Sequence, residues 1–180
     1  MPRLVDQIRE VVAGFAVCQT PPALIGGLAL AAHHVVRATQ DIDFLADLDD
    51  ADCLHAMVLD LGYRCLHRND DAANYRRGDE GLDFIYAHRP VARRLLAEAE
   101  TRDVGMGQLR VVNVEGLIGL KLQAYINDPR RLRDLEDIRQ LLRANRATLD
   151  LMEVRTYFEL FERSELLGQL LGEDGHAADG

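Results

Sequence analysis

The 180-residue chain has no tryptophan, one lysine among 21 cationic residues, three cysteines, and only 6% aromatic residues. Each scarcity excludes something. Cys18, Cys53 and Cys65 are odd in number and show no Cys-x-x-Cys spacing, so neither a disulfide framework nor a zinc site is expected, and a reducing cytoplasm is the simplest home. The six histidines have no zinc spacing either, and the adjacent His33 and His34 would face different directions on a helix. No apolar run approaches a membrane span, and Asp6, Arg9 and Glu10 interrupt the N-terminal apolar pattern. The expectation is therefore an unexported, cytoplasmic protein without a membrane partner.

What is present suits a folded domain. The chain is 48% hydrophobic and 28% charged, enough to bury a core. Its formal net charge of −9 argues against a broad basic face for nucleic acid. A local basic groove stays open, because Arg89 to Arg146 holds 12 Lys and Arg against 8 Asp and Glu.

Periodicity gives a coarse map. Leu4, Ile8, Val11, Val12 and Phe15 predict an amphipathic first helix ending before Pro21-Pro22. A short strand at Ala23-Leu24-Ile25 is followed by Gly26-Gly27 and a helix over "LALAAHHVV". "DIDFLA" reads as a strand, 51–61 as a helix closed by Gly62, and "YRCLH", "NYRRG" and "GLDFIYA" as strands, the last two joined by "GDEG". A helix near Pro90 to Glu100, a strand at "LRVVNV" and helices over 114–127, 131–143 and 151–171 complete the pattern. The fold class is α+β: a mixed sheet flanked by helices, with a helical C-terminal region. The divisions expected are a core over 1–112, a helical region over 113–171 and a disordered tail over 172–180.

Asp41 and Asp43 stand inside one of the strand-like apolar runs. Residues i and i+2 of a strand share a face, so these carboxylates would stand roughly 7 Å apart at their Cα atoms and repel. A divalent cation between them removes the conflict, and carboxylate with phosphate oxygen is what magnesium prefers. Asp83, in "GLDFIYA", completes a ligand set if its strand is a neighbour. Three aspartates with bound metal suit phosphoryl or nucleotidyl transfer; an Asp-x-Asp that ends an edge strand or begins a loop is the alternative. Gly26-Gly27 adds backbone N–H groups that can approach phosphate closely, backed by the following helix.

The order Ile25-Gly26-Gly27, Asp41-Ile42-Asp43 and Asp83 resembles the DNA polymerase β-like nucleotidyltransferase superfamily. With "LIGLKLQAYINDPRRLRDLEDIRQLL", the chain from Leu24 to Leu142 looks most like the bacterial AbiEii/AbiGii-type toxin nucleotidyltransferases. The resemblance implies a nucleotidyltransferase fold, magnesium or manganese, and a nucleoside triphosphate. For some members it implies a toxin role opposed by an antitoxin partner. Many members carry serine where this chain has Gly27, so any hydroxyl contact from that position is missing.

The expected site follows. Asp41, Asp43 and Asp83 are the candidate metal ligands and catalytic carboxylates. Gly26 and Gly27, with Arg37 and Thr39, are candidate triphosphate contacts, although Arg37 could equally cap a loop. Lys121 would neutralise charge on the phosphates, or would snorkel from its helix. Asp128-Pro129 predicts a helix start, with Leu132, Leu135, Ile138 and Leu142 buried and with Arg130–Asp134 and Arg133–Asp137 as i,i+4 ion pairs. The resemblance instead places Asp134 and Asp137 beside the site, orienting a base or the lysine. The expected activity is transfer of a nucleoside monophosphate to a hydroxyl on RNA such as tRNA, on protein, or on a small molecule such as an antibiotic. A non-catalytic nucleotide-binding or partner-regulating module is the alternative of a different class.

Overall fold

The computed structural model describes residues 2–176. The chain divides into two compact units: Met1–Ala32 with Arg37–Val112, and His33–Val36 with Asn113–Gly180.

The first unit is built on a seven-stranded sheet of order β3-β4-β5-β2-β1-β7-β6. Its strands are β1 (Ala23–Ile25), β2 (Asp41–Asp47), β3 (Arg64–Arg68), β4 (Ala72–Arg77), β5 (Glu80–Ala87), β6 (Glu100–Asp103) and β7 (Gln108–Val111). Helices α1 (Pro2–Gly14), α3 (Ala51–Asp60) and α4 (Pro90–Ala97) belong to this unit, as does the single turn α2 (Gly26–Ala29). Strands β2 and β5 run parallel, whereas β1–β2 and β4–β5 are antiparallel, so the sheet is mixed.

Alternation along β2 and β5 sorts the two faces. Phe44 pairs in register with Phe84, and both are buried. Phe15 meets the Phe44 ring edge-on at 4.8 Å, and Tyr75 of β4 meets the Phe84 ring at 6.1 Å. Aromatic packing thus fills one face, each pair adding about 0.5–1.5 kcal/mol beyond its buried area. Asp41, Asp43 and Asp83 take the other positions in the alternation and stand on the opposite face.

The second unit holds α5 (Val114–Asn127), α6 (Leu132–Ala144), α7 (Leu151–Leu160) and α8 (Ser164–His176). Asn113 caps α5 by accepting from the Gly116 N–H, and Asp150 caps α7 by accepting from the Met152 and Glu153 N–H groups. Asn145, buried just after α6, donates to the His33 carbonyl.

Several local expectations give way. The helix expected over 28–36 is only α2 followed by a 3-10 turn, Leu30–His33. The helix expected to Glu100 stops at Ala97, and the charged segment Glu100–Asp103 is instead the edge strand β6. The stretch over 151–171 is two helices, because Glu162 takes a left-handed φ of 56° between them. Asp128 and Pro129 precede α6 by a turn, with Asp128 accepting from the Arg130 N–H. Of the tail expected over 172–180, the backbone to residue 176 is helical, and residues 177–180 lie outside the described residues.

Candidate active site

The Gly-Gly turn meets the acidic strand directly. Gly26 has φ +66°, which only glycine adopts cheaply. A Cβ there would stand 2.0 Å from Asp43 Oδ2, so the missing side chain is the space the carboxylate fills. Gly27 plays the same part for the loop that leads into β2. A Cβ there would meet Thr39 Oγ1 at 3.0 Å and Arg37 Nη2 at 3.1 Å. Arg37 and Thr39 therefore fold back over Gly27, and Thr39 Oγ1 donates to the Asp41 carbonyl at 3.4 Å. Because α2 has only four residues, backbone N–H groups, the Arg37 guanidinium and the Thr39 hydroxyl make up this flank, rather than a helix dipole.

The carboxylates line up through the sheet. Asp43 and Asp83 are register partners in parallel strands, and Asp41 is the partner of Gly81. Asp43 and Asp83 are half-buried and Asp41 is exposed. Burial first, and then the neighbouring Asp41 charge, holds the Asp83 carboxyl above the ordinary carboxylate range, while a hydrogen bond from Asn74 and the Arg76 charge act the other way.

Asp41 has a cationic neighbour. Arg76 Nη1 lies 3.5 Å from Asp41 Oδ1 and donates to the Asp79 carbonyl at 3.2 Å. The two side chains meet over Gly81, where a Cβ would stand 2.1 Å from Asp41 Oδ1 and 3.3 Å from Arg76 Nη1. Neither Arg76 nor Asn74 stands out in the sequence, since "NYRRG" reads only as a strand. Their importance comes from antiparallel pairing, which sets Asn74 opposite Asp83 and Arg76 opposite Gly81.

Among the described residues, no three His, Cys, Asp or Glu side chains are grouped closely enough to hold a metal ion as they stand. The donor chemistry nevertheless fits an oxygen-seeking divalent cation. Three carboxylates share one face, two of them on partnered positions, and Gly26 leaves room for Asp43.

The remaining candidate residues form a second set in the second unit. Lys121 of α5 is 4% exposed, and its ammonium donates to Asp134 Oδ1 at 3.2 Å and Asp137 Oδ2 at 2.6 Å. Arg131 Nε donates to the other Asp134 oxygen at 2.6 Å. The i,i+4 ion pairs expected on α6 give way to these contacts. Asp134 and Asp137 are buried, Arg130 pairs with Asp128, and Leu132 is 65% exposed. Of the expected stripe, Ile138 and Leu142 are buried together with Leu141, and the buried face widens to take in Asp134 and Asp137, which hold the lysine.

No protein-family model matches the chain, and no curated protein matches it by sequence. Solved structures do. The solution structure of the antibiotic-resistance factor ANT(2'')-Ia superposes with a TM-score of 0.67 at 20% identity, covering 99% of both chains. Its crystal structure with adenylyl-2''-tobramycin gives 0.66 at 21% identity, over 89% of this chain and 97% of that one. This is the nucleotidyltransferase fold. A lincomycin-bound lincosamide adenylyltransferase, LnuA, shares the fold at a TM-score of 0.53 and 13% identity, over 78% of this chain and 96% of that one. On the nucleotidyltransferase fold of this chain, the Gly-Gly turn and the three aspartates come from three adjacent strands, β1, β2 and β5. Among the described residues, no helix is long and apolar enough to cross a membrane.

Proposed function

We propose that the protein is a metal-dependent nucleotidyltransferase that moves a nucleoside monophosphate from a nucleoside triphosphate to an acceptor hydroxyl. The observation that carries this reading is the contact between the Gly-Gly turn and the acidic strand. Asp43 sits against Gly26 and pairs in register with Asp83, while Arg37 and Thr39 cover Gly27. The candidate phosphate-binding residues are thus contiguous with the carboxylates, which supports the reading.

Asp41, Asp43 and Asp83 would hold magnesium or manganese, which supplies charge neutralisation at the triphosphate and at the attacking oxygen. The chain's own residues do the rest. Backbone N–H groups at Gly26-Gly27 and the Arg37 guanidinium bind and orient the phosphates. Asp83 assists the acceptor hydroxyl, as a ligand of the cation or as the base that accepts its proton. The acceptor oxygen forms a bond to the α-phosphorus as the bond to the bridging oxygen breaks and pyrophosphate leaves. Lys121, held by Asp134 and Asp137, joins α5 to α6 within the second unit.

Adenylylation of an antibiotic hydroxyl is a second reading, favoured by the likeness to ANT(2'')-Ia over nearly the whole of both chains. A toxin role, with an antitoxin partner, uses the same chemistry on RNA or protein. Transfer is tested by incubating the protein with labelled nucleoside triphosphates, magnesium, and separately RNA, protein extract, aminoglycosides and phosphorylated polyols. Asp43→Asn is expected to lower transfer at least about a hundredfold, the scale on which one preorganised charge acts, with an unchanged thermal melt. Equal turnover by the variant overturns the catalytic reading. Nucleotide binding without turnover on any acceptor favours the non-catalytic module.

A further inference from the structure

The sheet continues past the aspartates, and its continuation has a charge of its own. In the order β3-β4-β5-β2-β1, the Gly-Gly turn follows β1, on one side of the carboxylates, and β4 and β3 lie on the other. If the triphosphate takes the Gly-Gly side, the acceptor comes over β4 and β3. Register decides which side chains it meets. Arg76 and Asn74 of β4 stand opposite Gly81 and Asp83, and Arg64 and His67 of β3 stand opposite Arg76 and Asn74. These four share the face of the aspartates. No carboxylate on β3 or β4 joins them, because neither strand contains one.

We propose that this face is an acceptor subsite for a small hydroxyl compound carrying a phosphate group, with Arg76 as its specificity-determining residue. The inference rests on the nucleotidyltransferase reading above and adds the acceptor class. Arg76 is placed for the task by three features. Its guanidinium stays on this face through the Asp79 carbonyl. It is 38% exposed, so a ligand can reach it. Gly81, having no side chain, lets the Asp41 carboxylate and the Arg76 guanidinium meet over the strand, which holds Arg76 beside the carboxylates. Asp41, its present counter-ion, is one of the proposed cation ligands, and a carboxylate that serves a divalent cation neutralises Arg76 less. A guanidinium then offers a planar fork that phosphate oxygens match in two hydrogen bonds. A polyamine sugar such as tobramycin would bring ammonium groups against Arg64 and Arg76, and like charges repel. An RNA strand needs a longer row of cations than two arginines and one imidazole. One phosphate fits the number available.

The test is calorimetric, on the full chain with magnesium and a non-hydrolysable ATP analogue in excess. Glycerol 3-phosphate, tobramycin and a short RNA are the probes. Glycerol 3-phosphate is expected to bind the wild type. Arg76→Gln is expected to weaken that binding at least about tenfold, the scale of one lost charge-assisted hydrogen bond, and Arg76→Lys to restore part of it. Tobramycin or RNA binding more tightly than glycerol 3-phosphate overturns the proposal, as does equal binding by Arg76→Gln, or no binding of the phosphate probe. Manganese binding to wild type and Asp43→Asn, measured separately, distinguishes the two levels. If the wild type binds no manganese, the nucleotidyltransferase reading fails as well. If it does and Asp43→Asn does not, a negative result with glycerol 3-phosphate removes the acceptor class alone.

Discussion

Two glycines near the aspartates do different work, although both give up a Cβ to a carboxylate. At Gly26 an added methyl meets not only Asp43 Oδ2 but also its Cγ and Cβ, at 2.6 and 2.8 Å, in a left-handed backbone with φ +66°. Swinging the carboxylate away does not relieve this, because the Cβ is fixed to the strand. Gly26→Ala should therefore cost about 1–3 kcal/mol of stability and abolish transfer together. At Gly81 an added methyl meets the end of the exposed Asp41 side chain, 2.1 Å from Oδ1, with no left-handed backbone to strain. That side chain can rotate, and alanine stiffens the unfolded chain. Gly81→Ala should keep stability within about 1 kcal/mol of wild type while parting Asp41 from Arg76. Urea denaturation paired with a transfer assay checks both. A Gly26→Ala variant with wild-type stability and activity would remove the close approach of turn and carboxylate from the argument.

At the scale of elements, α5 and α6 are joined by a charge, and the cost of that choice is measurable. Lys121 is the chain's only lysine, and its side chain and those of Asp134 and Asp137 are at most 9% exposed. Lys121→Met removes the cation that both buried carboxylates share, leaving Asp134 with Arg131 and Asp137 without its 2.6 Å ammonium contact. A loss of about 3–5 kcal/mol is expected, the usual result of stranding a buried charge. Lys121→Arg keeps the charge but replaces a compact, rotatable ammonium with a wide fork. It should lose less stability than methionine and still lose transfer, if the ammonium acts on the phosphates. Thermal melts and turnover of the two variants separate the roles. Arginine with normal activity would leave Lys121 a packing device of the second unit.

The same elements show what was legible beforehand. Strand–Gly-Gly and the apolar strand with Asp-x-Asp are local patterns, and β1, β2 and β5 lie where those patterns put them. The face of α6 was legible in part: Ile138 and Leu142 are buried as their spacing implies, whereas the burial of Asp134 and Asp137 depends on a lysine of another helix, which no local pattern reveals. Strand β6 was hidden for the opposite reason. Glu100–Asp103 has no apolar alternation, and its strand character comes entirely from pairing with β7. Arg76 and Asn74 were equally hidden, because only register reveals that they oppose Gly81 and Asp83.

Over the whole molecule, the question is whether the arginines between Arg89 and Arg146 make a surface for nucleic acid. The formal count there, 12 cations against 8 anions, suggests one. The contacts use much of that charge internally. Arg93 pairs with Asp47 and Asp49, Arg94 with Glu98, Arg102 with Glu100, Arg130 with Asp128, Arg131 with Asp134, and Arg139 with Glu136. Lys121 is buried between two aspartates, and Arg110 donates to the Pro21 and Leu96 carbonyls. Eight of the twelve cations therefore already answer acceptors of the protein itself, within a chain of net charge −9. Exposed pairs such as these are individually weak, so a polyanion could compete for some of them. The long-range field of the acidic remainder would still oppose its approach. Fluorescence anisotropy with labelled tRNA should give a Kd weaker than about 10⁻⁴ M near physiological salt, at or beyond the weak end of ordinary non-specific binding. Any residual binding should show a slope of log K against log salt shallower than about −2, corresponding to one or two phosphates neutralised. A micromolar Kd with a slope of about −5 or steeper would show that the arginines let go of their internal partners for RNA, and the acceptor would then have to be sought among tRNA ends rather than small phosphorylated compounds.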